Sequence, residues 1–242
     1  MPWRNVEDIK LSYDPEEYVR FYPDGLKEGT YIDIWGVAHE PGCAAAKHMT
    51  YMRNPMKHME TLEEVMEYPF LDYSKGDRSH PKRQVEEIHD QGLAAVGNMQ
   101  VTIWETAWYI RGMENLMVDM SCEPEIAEWV FNKVTEQSLI RAKAYAEAGV
   151  DVLNPIQSEC MNFKEIYEEY GGNISFHGTI GTQTTMPFGT PEEVKRVVKE
   201  NMDIARTKGG LFVAPTHLME PEVPWENILV YVEAFREYDP KK

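Results

Sequence analysis

Apolar positions along the chain fall into short runs separated by longer amphipathic stretches, and the pattern is clearest in the C-terminal third. Within NISFHGTIGTQTTMPFGTP, residues 173–191, Ile174 and Phe176 give a short strand signal that ends at His177. Gly178 and Gly181 then permit a tight polar loop, because glycine enters left-handed backbone without a Cβ penalty. Thr190 is a good N-cap, Pro191 suits the first helical position, and Glu193 completes a capping box, so a helix is expected over about 191–208. The same order returns in GGLFVAPTHLMEPEVPWENILVYVEAFREY. There Leu211 to Ala214 form the strand, His217 stands in the loop, and a last helix begins near Pro224. Two strands that each run into a loop histidine and then a helix predict βα units, a parallel sheet, and chemistry at the C-terminal strand ends.

Upstream, residues 1–28 are polar, with Tyr13, Tyr18, Phe21 and Tyr22 scattered among Asp, Glu and Pro, and read as a lead-in of loop and short turns. Residues 31–37 (YIDIWGV) read as a strand carrying Asp33. A carboxylate in an apolar strand is costly unless paired or solvated, so Asp33 is either a hydrogen-bonded structural group or a site carboxylate. Thr61 and Glu64 form a capping box ahead of a short helix that ends by Pro69. Residues 72–81 read as charged loop, 82–92 as an amphipathic helix, 94–101 as a buried strand, and 103–120 as a helix. Glu105 and Arg111 of that helix sit among packing aromatics. A long helix over 124–148 is closed by Gly149. The strand 150–157 follows, running into polar Asn154, Gln157, Ser158 and Glu159, and NFKEIYEEYGG gives one more helix. Five strands are readable, at 31–37, 94–101, 150–155, 174–177 and 211–214. This α/β alternation fits an open doubly wound sheet or an incomplete (β/α)8 barrel of the TIM type.

Composition narrows the function. The formal charge of −17 argues against a nucleic-acid partner, which needs a basic face. Three scattered cysteines, Cys43, Cys122 and Cys160, read as reduced thiols of a cytoplasmic protein. The opening residues lack the form of a signal peptide, and no apolar run has the length of a membrane span. His39, Glu40 and Cys43 suggest metal ligation, but Pro41 and Gly42 forbid the helix that a His-Glu-x-x-His site requires, so no metal is assigned. The Met-rich stretch KHMTYMRNPMKHME holds a local basic patch of Lys47, Arg53 and Lys57, either a solvated face or a carboxylate-binding rim. Dinucleotide, Walker, nucleophile-elbow and Cys-x-x-Cys motifs are all absent.

FHGTIGTQTTMPFGTPEEVK, with the GGLFVAPTHLMEP segment after it, resembles the end of the uroporphyrinogen decarboxylase superfamily. AGVDVLNPIQ resembles that superfamily's sixth-strand region, and GNMQVTIWETAWYIRGMENLMVDMSCEPE an earlier strand and helix. YIDIWGVAHEPG and NPMKHMETLEEVMEYPF are similar to segments of its divergent anaerobic branch. The resemblance implies a (β/α)8 barrel whose founding members remove acetate carboxyls from a tetrapyrrole without a cofactor. A carboxylate near the pyrrole N–H groups supports the protonated intermediate, arginines hold substrate carboxylates, and a late histidine lines the cleft. Carried over, Asp33 and His217 become the catalytic candidates, while His177, Asn154, Gln157 and Arg53 become the substrate-binding ones. An ion that balances developing cationic charge beside a proton donor is the chemistry such a protonation needs.

Two departures accompany the resemblance. The family's N-terminal strand is not seen before residue 31, and the long helix leads straight into AGVDVLNPIQ where the family has two further βα units. Those units carry the His-x-Cys motif that supplies zinc ligands in the corrinoid methyltransferase branch. Here Cys160 is the only cysteine near a late strand end, and His217 stands where that branch has its last cysteine. The primary expectation is one barrel domain over 1–242, a cofactor-independent carboxy-lyase acting on a tetrapyrrole or a corrinoid-linked small molecule, with no membrane or nucleic-acid partner. One alternative is a relative of the corrinoid-dependent methyltransferases. The other is an inactive truncated barrel that binds or assembles, as a homo-oligomer, through the strand edges left open.

Overall fold

The structure, a computed structural model, describes residues 2–42, 50–97 and 103–238. In chain order the elements are β1 Trp3–Val6, α1 Glu16–Val19, β2 Tyr31–Ile32, β3 Ala38–Pro41, β4 Thr50–Arg53, α2 Leu62–Met66, α3 Ser79–Asp90, β5 Ala94–Gly97 and α4 Ile103–Arg111. Then come α5 Met113–Cys122, α6 Pro124–Ala148, β6 Val152–Ile156, α7 Phe163–Tyr170, β7 Ser175–Ile180, α8 Thr185–Phe188, α9 Pro191–Ala205, β8 Leu211–Pro215 and α10 Trp225–Glu237. Where the sequence suggests one domain, contacts divide the chain into two compact units. The sheet unit comprises Met1–Glu7, Arg83–Asn98 and Gly149–Lys242, and the helical unit comprises Asp8–Lys82 and Met99–Ala148.

In the sheet unit five parallel strands lie in the order β1-β5-β6-β7-β8. The order follows the chain in one direction, as in a barrel, whereas a doubly wound sheet reverses at a switch point. The fold class is therefore α/β of the incomplete TIM-barrel type. Helices cover one face. Phe176 of β7 is fully buried with Ile156, Phe163, Tyr167 and Ala205, and Ile180 packs with Met186, Val194, Val198, Val223 and Ala234. The capping box expected at Thr190 is formed: its hydroxyl accepts the Glu193 N–H, and the Glu193 carboxylate accepts the Thr190 N–H.

The parallel strands are not the five read from the sequence. β1 lies inside the segment taken as polar lead-in, and its residues Trp3 to Val6 pair with Ala94 to Gly97 of β5. An N-terminal strand thus precedes residue 31 after all. Its WRNV buries only Val6, too short an alternation to register as a strand. Residues 31–37, conversely, do not join the parallel sheet. The chain turns at Asp33 to Gly36, and β2, β3 and β4 make a small antiparallel sheet in the helical unit. Asp33 Oδ1 accepts the N–H groups of Trp35 (2.9 Å) and Val37 (3.0 Å), the local pattern by which aspartate competes with extended backbone. Gly36, at φ +79, completes the turn where a Cβ would collide with Tyr18 and Tyr68. Of the strand expected at 94–101, Ala94–Gly97 is formed and the remainder lies outside the described residues, as do Cys43 and Lys47.

The helix expected over 103–120 is broken at Gly112 (φ +88) into α4 and α5. Arg111 explains the geometry of the break. Its Nε and Nη2 bind Asp119 at 2.6 and 3.0 Å, and Nη1 donates to the carbonyls of Met56 (2.6 Å) and Met59 (2.8 Å). Both charged residues are buried beside the core of Tyr18, Met56, Ile110, Leu116 and Val130. Removing one partner of such a pair strands the other charge in the interior, which costs about 3–5 kcal/mol. Arg111→Leu is therefore expected to lower the urea unfolding free energy by that order, with Arg111→Leu/Asp119→Leu recovering a large part. An unchanged midpoint in the single variant would mean that the pair does not hold the bend.

Candidate active site

Side chains alternate between the two faces of a strand. With Phe176 packed under the helices, His177 stands on the opposite face of β7, the side that would be the interior of a closed barrel. In register, His177 lies beside Phe212 of β8. Val152 and Asn154 of β6, Val96 of β5 and Trp3 of β1 complete a cleft with these two. The cleft is open on one side, and its volume of about 60 Å³ has room for a few waters. Its walls are apolar apart from one polar pair.

That pair is His177 and Asn154, whose Nδ1 and Oδ1 are 2.8 Å apart. An amide oxygen only accepts, so with Oδ1 toward the ring the Nδ1–H donates and Nε2 keeps its lone pair. Burial among apolar neighbours holds the imidazole below its ordinary pKa of 6.5. The site therefore offers a neutral imidazole of fixed tautomer, able to accept a proton or a hydrogen bond at Nε2.

The backbone beyond His177 is unusual. Gly178 has φ +113 and Thr179 has φ +80, both left-handed, although both still pair with β8. A Cβ on Gly178 would sit 3.2 Å from the backbone N and O of Ile156, so β6 and β7 approach here more closely than a side chain allows. On β6 the register shifts between Leu153 and Ile156, where Pro155 has no N–H to give the ladder.

The remaining expected site residues are more dispersed. Gln157 follows β6, and its carbonyl accepts the N–H groups of Cys160 and Met161. His217 is exposed in the loop after β8, at the C-terminal strand end where the sequence puts it. Asp33 and Arg53 belong to the helical unit, and each has local partners. Besides the turn N–H groups, Asp33 Oδ2 lies 2.9 Å from His39 Nε2, and the His39 ring stacks on Tyr31 at 4.5 Å. Arg53 binds the buried Glu40 at 2.8 Å. Lys27 and then Arg53 hold that carboxyl below the usual glutamate range against its burial. His39 and Glu40 are neighbours on β3 and so point to opposite faces. Among the described residues no three His, Cys, Asp or Glu side chains converge as metal ligands.

Of the residues lining this cleft, His177 and Asn154 are among those singled out from the sequence, whereas Trp3, Val96, Val152 and Phe212 are not. Val152 lies one alternation before Asn154, and Phe212 needs the β7–β8 register. Trp3 has no signal without β1.

No family model matches the chain, and no curated protein does. Among solved structures it is similar to a methyltransferase from Methanosarcina mazei, with 17% identity over 85% of this chain and 77% of that one and a TM-score of 0.45. No helix among the described residues is long and apolar enough to cross a membrane.

The depressed His177 pKa has a definite sign in stability. As pH falls below about 6.5, the unfolded chain takes the proton before the folded one, so the folded state loses stability as pH drops toward the folded pKa. His177→Gln should flatten the decline in urea midpoint below about pH 6.5 relative to the parent, the other histidines being common to both. Parallel declines would show that the ring is solvated in the folded state.

Proposed function

We propose that the chain is a barrel-type enzyme of the uroporphyrinogen decarboxylase superfamily kind, which binds a small molecule on the inner face of its parallel sheet and transfers a methyl group with His177 as base. The observation that carries this reading is the neutral His177, its tautomer set by Asn154, in a cleft walled by Trp3, Val96, Val152 and Phe212. In such a transfer the acceptor's S–H or O–H proton passes to Nε2 while the sulfur or oxygen attacks the methyl carbon. The bond from carbon to the donor breaks, and its electron pair stays with the donor. A base positioned in this way contributes typically 10²–10⁴-fold.

Tetrapyrrole decarboxylation, the primary expectation from the sequence, draws less support. It needs a carboxylate open to pyrrole N–H groups and arginines open to substrate carboxylates. Asp33 is engaged by two backbone N–H groups and His39, and Arg53 by Glu40. The zinc site of the methyltransferase branch does not fit the described residues either, so the proposed step runs through the imidazole alone. Methylcobalamin with a small thiol such as 2-mercaptoethanol is the direct assay, followed by loss of the methylcobalamin spectrum. Methyl transfer that falls at least about 10²-fold in His177→Gln is the expected result. Decarboxylation of a uroporphyrinogen that is sensitive to Asp33→Asn, or no turnover in either assay, would overturn it.

A second reading rests on the exposure of the inner face. Trp3 is 57% and Phe212 36% accessible, and β1 and β8 are the sheet's edges. Self-association through that face would cover both, as open parallel edges favour. Light scattering of the parent against Trp3→Ser tests it: a dimer that the substitution dissociates supports the reading, and a parent that stays monomeric rejects it.

A further inference from the structure

On the helix-covered side of the sheet unit lies a second, larger cavity, widely open to solvent, that the proposed reaction does not use. It runs between the loop after β6, the end of β7, α8 and α9, with a volume of about 620 Å³. That is within the range of small-molecule sites, about 300–1,000 Å³. Its lining is largely polar: Ser158, Glu159, Asn162, Thr179, Thr184 and Asn201 contribute hydroxyls, amides and one carboxylate, and Lys164 contributes an ammonium that lies 3.9 Å from its own partner, Glu168.

Two of these groups are incompletely satisfied. Thr179 is fully buried, yet its hydroxyl has no hydrogen-bond partner, and it sits at φ +80, a conformation that a β-branched residue adopts only under constraint. Its carbonyl, by contrast, is bound by Asn201 Nδ2 at 3.0 Å, which fixes the residue to α9. Glu159 Oε1 accepts the Gln183 N–H (2.9 Å) and the Thr184 hydroxyl (3.3 Å), while Oε2 is buried and unpartnered. Among the described residues no Lys, Arg or His forms an ion pair with Glu159. A buried carboxylate oxygen without a partner costs more than most groups in a protein interior, and native structures rarely leave one so.

We propose that this cavity is a binding site for a small hydroxylated primary amine, the chemistry of an amino sugar. The ammonium donates to Glu159 Oε2, and the ligand's hydroxyls exchange hydrogen bonds with Thr179, Ser158 and the two asparagine amides. A single carboxylate without further acidic ligands suits an ammonium better than a divalent cation, which takes several oxygen donors. The hydroxyl and amide lining suits a polyhydroxylated body better than an alkyl one. Gly181 lies against the site, because a Cβ there would strike Glu159 Oε1 and approach Ser158 Oγ to 3.0 Å. The loop is thus built around the carboxylate.

Titration calorimetry with D-glucosamine, and with D-glucose as the neutral isostere, tests the site and is independent of the methyl-transfer reading. Glucosamine should bind and glucose should bind at least about tenfold more weakly, the loss expected for a charged hydrogen bond. Glu159→Gln should cost glucosamine a similar factor, and Gly181→Ala, which keeps the charge but displaces the carboxylate, should weaken it too. His177→Gln should leave this binding unchanged. Equal binding of the two sugars, no binding of either (water alone filling the cavity), or full glucosamine affinity in a folded Glu159→Gln would each overturn the proposal.

Discussion

The left-handed backbone at Gly178 and Thr179 is the constraint on which both faces of the sheet unit depend. Simple alternation along β7 would place Thr179 on the same face as His177. With φ at +113 and +80, the strand still keeps its ladder to β8, but Thr179 lines the cavity beside α9 and His177 lines the inner cleft. Such conformations cost of order 1–3 kcal/mol and persist only where surrounding structure enforces them. The enforcement is visible here: the Phe176-to-Ile180 pairing with β8, the Asn201 bond to the Thr179 carbonyl, and full burial of Phe176 and Ile180 on either side. Gly178 allows the close passage of β6 that brings Asn154 within 2.8 Å of His177.

Legibility from sequence followed the length scale of the signal. The C-terminal βα units were readable because each combines an apolar run, a glycine loop and a helix start with a mechanism, and Thr190, Pro191 and Glu193 act as that grammar requires. The first parallel strand was not readable. Four residues at a sheet edge, with only Val6 buried, carry less pattern than noise. The error at 31–37 has the opposite cause. YIDIW has the composition of a strand, but one aspartate side chain binding two N–H groups and one glycine at φ +79 turn the chain. Propensity described the residues well and the backbone poorly, since a turn is decided by the one or two positions that break the average.

The candidate sites divide in the same way. His177 and Asn154 were identifiable as polar residues ending apolar runs, because parallel strands collect such residues at one end. Asp33 and Arg53 were equally polar in equally apolar surroundings, yet they are engaged by backbone amides, His39 and Glu40. Sequence distinguishes a charged residue from an apolar one, but a partner tens of positions away decides whether that charge is structural or available. Arg111 makes the point most sharply, since the aromatics around it hid the carboxylate eight residues on that holds it.

Electrostatics sets the two faces of the sheet against each other. The inner cleft is apolar and holds a histidine neutral by burial, so a charged ligand entering it would lose hydration with little in return. The outer cavity holds a carboxylate with which no Lys, Arg or His among the described residues forms an ion pair, in a chain whose formal charge is −17. The field of that net charge favours a cationic ligand over an anionic one. The inner face has no comparable charge to relieve. What it leaves unsatisfied is area, with Trp3 and Phe212 in water on a surface that a complete barrel would enclose. A ligand there gains chiefly by covering those rings, and its specificity must come from the polar pair, His177 and Asn154. Selection on the inner face therefore acts through shape and one polar pair, while on the outer face it acts through charge.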